Sequence, residues 1–87
     1  NALSFNGTNA WVTVPDANAL DLTTGMTLEA WVKPTSSTGY GTVLFKETSG
    51  TQNYALYSLT GTNQPPGVFL HTVSAGEQSV KGPSALP

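Results

Sequence analysis

The segment Met26–Pro34 constrains the fold more than any other part of the chain. Its sequence, MTLEAWVKP, has an apolar side chain at every second position from Met26 to Val32, with Thr, Glu, Trp and Lys between and after them. A period of two is typical of a strand that lays one face on a core. Proline cannot donate a hydrogen bond to a ladder, so Pro34 ends the run. We therefore predict a β-strand over Met26–Lys33.

Further short segments resemble strands, because they are rich in β-branched and aromatic residues and are bounded by Gly, Pro, Asn and Ser. These candidates are Leu3–Phe5, Trp11–Val14, Thr42–Lys46, Tyr54–Leu59, Val68–Val73 and a short Gln78–Val80. Asn6-Gly7 predicts a hairpin turn between the first two. Three consecutive apolar residues, Val43 to Phe45, predict burial on both faces of their strand. No segment shows a sustained 3.6-residue period, so residues 1–87 are predicted to form one all-β domain.

The charge and residue composition exclude several classes of partner. The chain has three Lys or Arg residues, all of them lysine, against five acidic residues, a net charge of -2. With no basic face to neutralise phosphates, we expect neither nucleic acid nor a membrane as a partner. No apolar run approaches the ~20 residues that a membrane-spanning helix requires. Because the chain has no cysteine, cysteine usage does not indicate whether the protein resides in an oxidising or a reducing compartment. A neutral polar ligand suits this composition.

Three consecutive parts of the sequence, Ala2–Pro15, Leu20–Thr24 and Met26–Pro34, closely resemble the start of laminin G-like, concanavalin A-like jelly-roll domains. The resemblance implies an antiparallel β-sandwich of two sheets, and the strand candidates here are too few to complete both. We therefore expect a half-sandwich whose open sheet edges are completed by self-association, giving a homo-oligomer. The resemblance, together with the high content of Thr, Ser and Gly, also implies an extracellular or cell-surface location within a larger secreted bacterial protein.

The resemblance implies a non-catalytic, lectin-type recognition module that binds carbohydrate or a protein surface. Sugar binding needs an aromatic platform with a few fixed polar groups, and the candidates are Tyr40, Trp11 and Trp31. Tyr40 lies in a predicted Gly-flanked loop and is the best candidate for an exposed ligand contact. Trp31, in contrast, is expected to be packed in the core or covered by loops. The alternative is a structural or designed half-domain that forms a homodimer and has no ligand of its own.

The evidence for metal binding or catalysis in the sequence is weak. Calcium is the family's common ion, but this chain has Asn6 and Ala10 where relatives often carry Asp, so a tight turn is favoured over a metal site there. Glycosidases of this architecture use two carboxylates, and Glu29 has no second acid two residues away on its strand face. His71 has no second histidine at ligand spacing. We therefore expect no enzymatic activity.

Overall fold

The chain folds into a single open sheet of four antiparallel strands. The computed structural model describes all residues from 1 to 87. The strands are β1 (Tyr40–Thr48), β2 (Thr51–Thr60), β3 (Gly67–Thr72) and β4 (Gly76–Lys81), and each pairs with its neighbour along the chain. The one helical element is a 3-10 turn at Asn18–Leu20. The predicted all-β class is confirmed, and an open antiparallel sheet is consistent with half of a concanavalin A-like sandwich.

Turn chemistry explains why the second half of the chain forms hairpins. Between β1 and β2, Ser49 and Gly50 have φ values of 50° and 79°, and Thr48 pairs directly with Thr51. Two positive φ angles in a two-residue loop give the twist that strand hairpins need. Between β3 and β4, Gly76 has a φ of 67° and pairs with Thr72. The strands predicted from Thr42 onward are therefore confirmed. β1, β2 and β4 are longer than predicted, and β3 begins and ends one residue earlier than the predicted Val68–Val73.

The strands predicted in the first third of the chain are absent, and that part of the prediction is wrong. Leu3–Phe5, Trp11–Val14 and Met26–Lys33 all lie outside the sheet. Residues 1–16 and 22–36 make no backbone–backbone hydrogen bond. A strand needs a ladder partner on at least one side, and these segments do not pair with either edge of the sheet. Alternating apolar and polar residues define the two faces of a strand but do not determine which strand it pairs with.

The first turn forms even though its flanking segments do not pair. The side-chain oxygen of Asn6 accepts hydrogen bonds from the backbone N–H groups of Thr8, at 2.9 Å, and Asn9, at 3.0 Å. Gly7, with a φ of 73°, takes the left-handed conformation that the Asn-Gly pair predicts. This is a local Asx turn, which needs only its own residues to form.

The alternation in Met26–Lys33 appears as packing instead of pairing. Met26 and Leu28 are half-buried. Ala30 and Val32 remain exposed, but they line a cleft of about 230 Å³ against sheet residues that include Leu56. Trp31, on the opposite side of the segment, is fully exposed, so the expectation of a covered Trp31 is wrong in this structure. Without a strand beside it, no neighbouring element reaches over the indole.

The core is centred on β2. Of seven buried residues, six lie on this strand and the seventh is Gly67 at the start of β3. The predicted burial of Val43–Phe45 on both faces is wrong, because β1 is an edge strand and leaves Leu44 and Phe45 more than 40% exposed, at 42% and 46%. A core this small implies a narrow stability margin.

Polar contacts hold the segment around the 3-10 turn against the sheet. The Lys46 ammonium lies 2.6 Å from a carboxylate oxygen of Asp16 and 3.6 Å from one of Asp21. The Tyr54 hydroxyl donates to the Leu20 carbonyl at 2.9 Å. Hydrogen bonding to Lys46 lowers the pKa of Asp16 and, reciprocally, raises the pKa of Lys46. This charge pair therefore contributes stability only while both groups are ionised.

Replacing Asp16 with asparagine should make the 3-10 segment easier to detach from the sheet. The folded pKa of Asp16 lies below its ordinary value of 3.8, so its contribution is present above that pH and is lost as the pH falls below it. We expect only a small loss of stability at neutral pH, because exposed ion pairs contribute little. Limited proteolysis from pH 7 down to pH 3 checks this. Faster cleavage of the variant near Asn18 at neutral pH, with the difference narrowing as the pH falls below 3.8, is the expected result; equal cleavage throughout would contradict it.

Candidate functional site

Three aromatic rings form a row across one face of the sheet. Tyr40 of β1 and Tyr57 of β2 have ring centroids 5.2 Å apart with planes at 68°. Tyr57 and Phe69 of β3 are 5.4 Å apart at 81°. These are edge-to-face contacts, the arrangement that the charge distribution of aromatic rings favours. The row joins three strands and exposes aromatic surface at its Tyr40 end, where the side chain is 61% exposed.

Beside this row lies an open depression of about 560 Å³, which we call the aromatic depression. Its seven lining residues are Phe45, Gly50, Thr51, Gln52, Tyr57, His71 and Glu77. Strand register brings the polar members together, because His71 of β3 pairs directly with Glu77 of β4. The tight turn at Gly50 forms part of its wall. The depression thus combines two aromatic rings with amide, imidazole and carboxylate groups.

The Tyr57 hydroxyl is a neutral donor at the floor of this depression. Burial raises the pKa of Tyr57, and the nearby Tyr40 and Glu77 raise it further, since a phenolate there would face other negative groups. The hydroxyl therefore remains protonated at neutral pH. It donates a long hydrogen bond of 3.4 Å to the side-chain oxygen of Gln52. A bond of that length is weak, so the amide of Gln52 is readily available to another partner.

Of the residues predicted to bind a ligand, the structure brings only Tyr40 to the aromatic row. Trp11 and Trp31 are exposed, at 74% and 105%, and neither takes part in a ring pair. Tyr40 lies at the first position of β1 instead of in the predicted loop. Tyr54, another aromatic of β2, is buried and hydrogen-bonded to Leu20, so its role is structural.

Sequence reasoning did not identify Gln52, Phe45, His71 and Glu77 as neighbours in one site. The signal for the last two was the Gly at position 76 after a three-residue loop, which fixes the register of the β3–β4 hairpin. That register alone places His71 opposite Glu77. Predicting β3 one residue further along, at Val68–Val73, and β4 only from Gln78 concealed the pairing.

A calcium ion fits the residues near the first turn poorly. The Asn6 side-chain oxygen already accepts two backbone hydrogen bonds, and its amide donates to Asn9 at 2.7 Å. Ala10 offers no ligand atom in its side chain. Asp16 and Asp21 both face the ammonium of Lys46, so a cation already lies beside these carboxylates. No group of three or more His, Cys, Asp or Glu residues is arranged to hold a metal.

Comparison with known proteins identifies the family. The structure contains no helix long and apolar enough to cross a bilayer. No curated protein and no solved structure matches the chain. A laminin G family model, described as the concanavalin A-like lectin/glucanases superfamily, matches residues 6–87. Domains of this family are generally non-catalytic recognition modules and are typically extracellular. Because the match spans nearly the whole sequence and the sheet is antiparallel, the chain belongs to the laminin G-like domains of the concanavalin A-like superfamily.

Proposed function

We propose that the protein is a non-catalytic module that binds carbohydrate across the aromatic depression and the adjoining aromatic row, which ends at Tyr40. The observation that carries this proposal is the row of Tyr40, Tyr57 and Phe69 next to a polar rim. A pyranose ring presents an apolar C–H face and an edge of hydroxyl groups. Aromatic rings accommodate the first, and fixed polar side chains bind the second.

The size and charge of the depression favour a short neutral oligosaccharide. Its volume of about 560 Å³ lies within the range of small-molecule sites. Gln52 can donate and accept hydrogen bonds, and Glu77 accepts them from sugar hydroxyls. No lysine lines the depression, and His71 is its one basic side chain. An acidic sugar would therefore find little positive charge there to neutralise its carboxylate. We place the protein outside the cell, where such glycans are presented.

Replacing Tyr40 with alanine should weaken glycan binding by about tenfold or more, since loss of one stacking ring removes contact area at the open end of the row. The ligand is first chosen on a glycan array, and affinities are then measured by calorimetry. Val73→Ala is the matched control, because Val73 is a fully exposed apolar residue in the β3–β4 turn, away from the aromatic row. Binding that is unchanged by Tyr40→Ala would refute this site.

The two tryptophans remain candidate ligand contacts, and the same titration tests them. Trp11→Ala and Trp31→Ala should have smaller effects than Tyr40→Ala, because neither indole belongs to the aromatic row. A larger effect of Trp31→Ala would move the platform to the Met26–Lys33 segment. That outcome would retain carbohydrate recognition and reject the aromatic depression.

The second candidate function is a structural half-domain that forms a homodimer and has no ligand. Two observations favour it: only seven residues are buried, and both edge strands of the sheet are unpaired on their outer sides. A discrete dimer that recognises no glycan on the array would support this function over carbohydrate binding. Light scattering coupled to size exclusion provides the mass.

A further inference from the structure

The two edges of the sheet differ in how well they can accept another strand. β4 pairs with β3 in an unbroken register from Gly76 to Lys81, and its residues from Glu77 onward are all exposed. The pairing of β1 with β2 shifts register at three places. Bulges twist an edge and disfavour the addition of a strand, whereas a regular exposed edge favours it. The β4 edge is therefore the open side of this sheet.

The charges on β4 are complementary to a second copy of the same strand. Glu77 and Lys81 lie four residues apart, so their side chains share one face of the sheet. If two β4 strands pair antiparallel about a two-fold axis at Ser79, Glu77 lies opposite Lys81 of the partner subunit. By symmetry, Lys81 lies opposite Glu77 of the partner subunit, so the dimer contains two such pairs. On β1, Lys46 and Glu47 are adjacent and point to opposite faces, so self-pairing there cannot match them.

We propose that the protein forms a homodimer through antiparallel pairing of β4 with β4 of the partner subunit, centred on Ser79. The pairing joins two four-stranded sheets into one continuous sheet and satisfies the outward backbone groups of both edges. The Gln78 side-chain amide lies at this edge and donates to the carbonyls of Glu77 and Ala75, each at 2.9 Å. Both bonds are solvent-exposed, so exchanging the first for a ladder bond and the second for a bond to water costs little. This pairing specifies the interface of the homodimer given as the second candidate function. It does not require carbohydrate binding, although Glu77 also lines the aromatic depression.

Charge reversal tests the register. Glu77→Lys and Lys81→Glu should each weaken dimerisation by about tenfold, because each turns two attractive cross-strand pairs into repulsive ones. The double variant Glu77→Lys/Lys81→Glu should restore the wild-type dissociation constant, since it rebuilds both pairs in reverse. Sedimentation velocity over a concentration series at low salt measures all four proteins, and circular dichroism checks that each remains folded. A wild-type protein that stays monomeric at millimolar concentration overturns the proposal.

The double reversal also separates self-pairing from a competing occupant. Glu29 and Lys33 are likewise four residues apart, and an antiparallel pairing of this segment from another copy would oppose Lys81 and Glu77. In that arrangement the double variant meets like charges at both positions and cannot recover. Continued weakness of the double variant therefore rejects β4 self-pairing in favour of a strand donated by Met26–Lys33.

A cysteine at the two-fold axis provides a second, independent readout. The chain contains no cysteine, so Ser79→Cys introduces a single reporter. Directly opposed residues of an antiparallel pair have Cα atoms within the range that a disulfide spans. We expect a cross-linked dimer under mild oxidation. Ser74→Cys, equally exposed in the β3–β4 turn, is the control. Cross-linking no faster at position 79 than at position 74 contradicts the proposed axis.

Discussion

Replacing Tyr57 with alanine should abolish the cooperative unfolding transition of the protein. The ring is one of the few buried side chains, and it makes edge-to-face contacts with both Tyr40 and Phe69. Truncating a buried aromatic residue to alanine costs about 3–5 kcal/mol, which is comparable to the whole stability of a small domain. Urea titration followed by near-ultraviolet circular dichroism measures the effect.

The matched variant for this position is Tyr57→Phe. It retains the ring and both aromatic contacts and removes only the long 3.4 Å hydrogen bond to Gln52. We expect it to unfold cooperatively with a midpoint close to that of the wild type. If Tyr57→Ala unfolds at the same urea concentration as the wild type, the sheet does not depend on the aromatic row.

Gly67→Ala should be strongly destabilising for a change of one methyl group. A β-carbon at this position would lie 2.8 Å from the Thr60 methyl group and 3.1 Å from the backbone carbonyl oxygen of Val80. The first contact is closer than real side chains tolerate, and the second involves backbone that cannot rotate away. Gly67 lies between Tyr57 of β2 and Lys81 of β4, so relief requires neighbouring strands to move apart. We expect a loss of about 1–3 kcal/mol in the free energy of unfolding.

Two further variants make this prediction specific. Gly25→Ala adds the same methyl group where nothing lies within 4 Å, and it should be neutral or slightly stabilising. Thr60→Ser in the Gly67→Ala background removes the nearer methyl and keeps the hydroxyl that donates to Pro65 at 2.8 Å. It should recover part of the loss, since the Val80 contact remains. Equal unfolding free energies for Gly67→Ala and Gly25→Ala would show that the close approach at Gly67 is not what limits stability.

Sequence-based predictions are accurate where a structural element depends on interactions between residues close together in sequence, and inaccurate where it depends on distant ones. Hairpin turns depend on a few adjacent residues, such as Ser49 and Gly50, and the strands that flank such turns were correctly predicted. Strand formation by Met26–Lys33 depends on a pairing partner far away in sequence. Alternating hydrophobicity predicts its two faces, and Ala30 and Val32 do face the sheet. The alternation does not indicate whether either edge of the sheet is available to pair with this segment.

The candidate site was predictable only in part, for a similar reason. Tyr40 was identified by its residue type and its glycine neighbours, and it does lie at an exposed end of the aromatic row. Its contact with Tyr57, however, depends on a register shift between Gly41 and Thr42. One extra residue in a ladder changes which side chains are opposed. The meeting of His71 with Glu77 likewise depends on the exact length of a turn.

The spatial order of the strands is the same as their order along the chain. Every strand therefore pairs only with strands next to it in sequence, and no pairing waits for the closure of a long loop. Topologies of this kind fold rapidly compared with sheets built from distant segments. During synthesis on the ribosome, the sheet can assemble one hairpin at a time and is complete as soon as Lys81 has emerged.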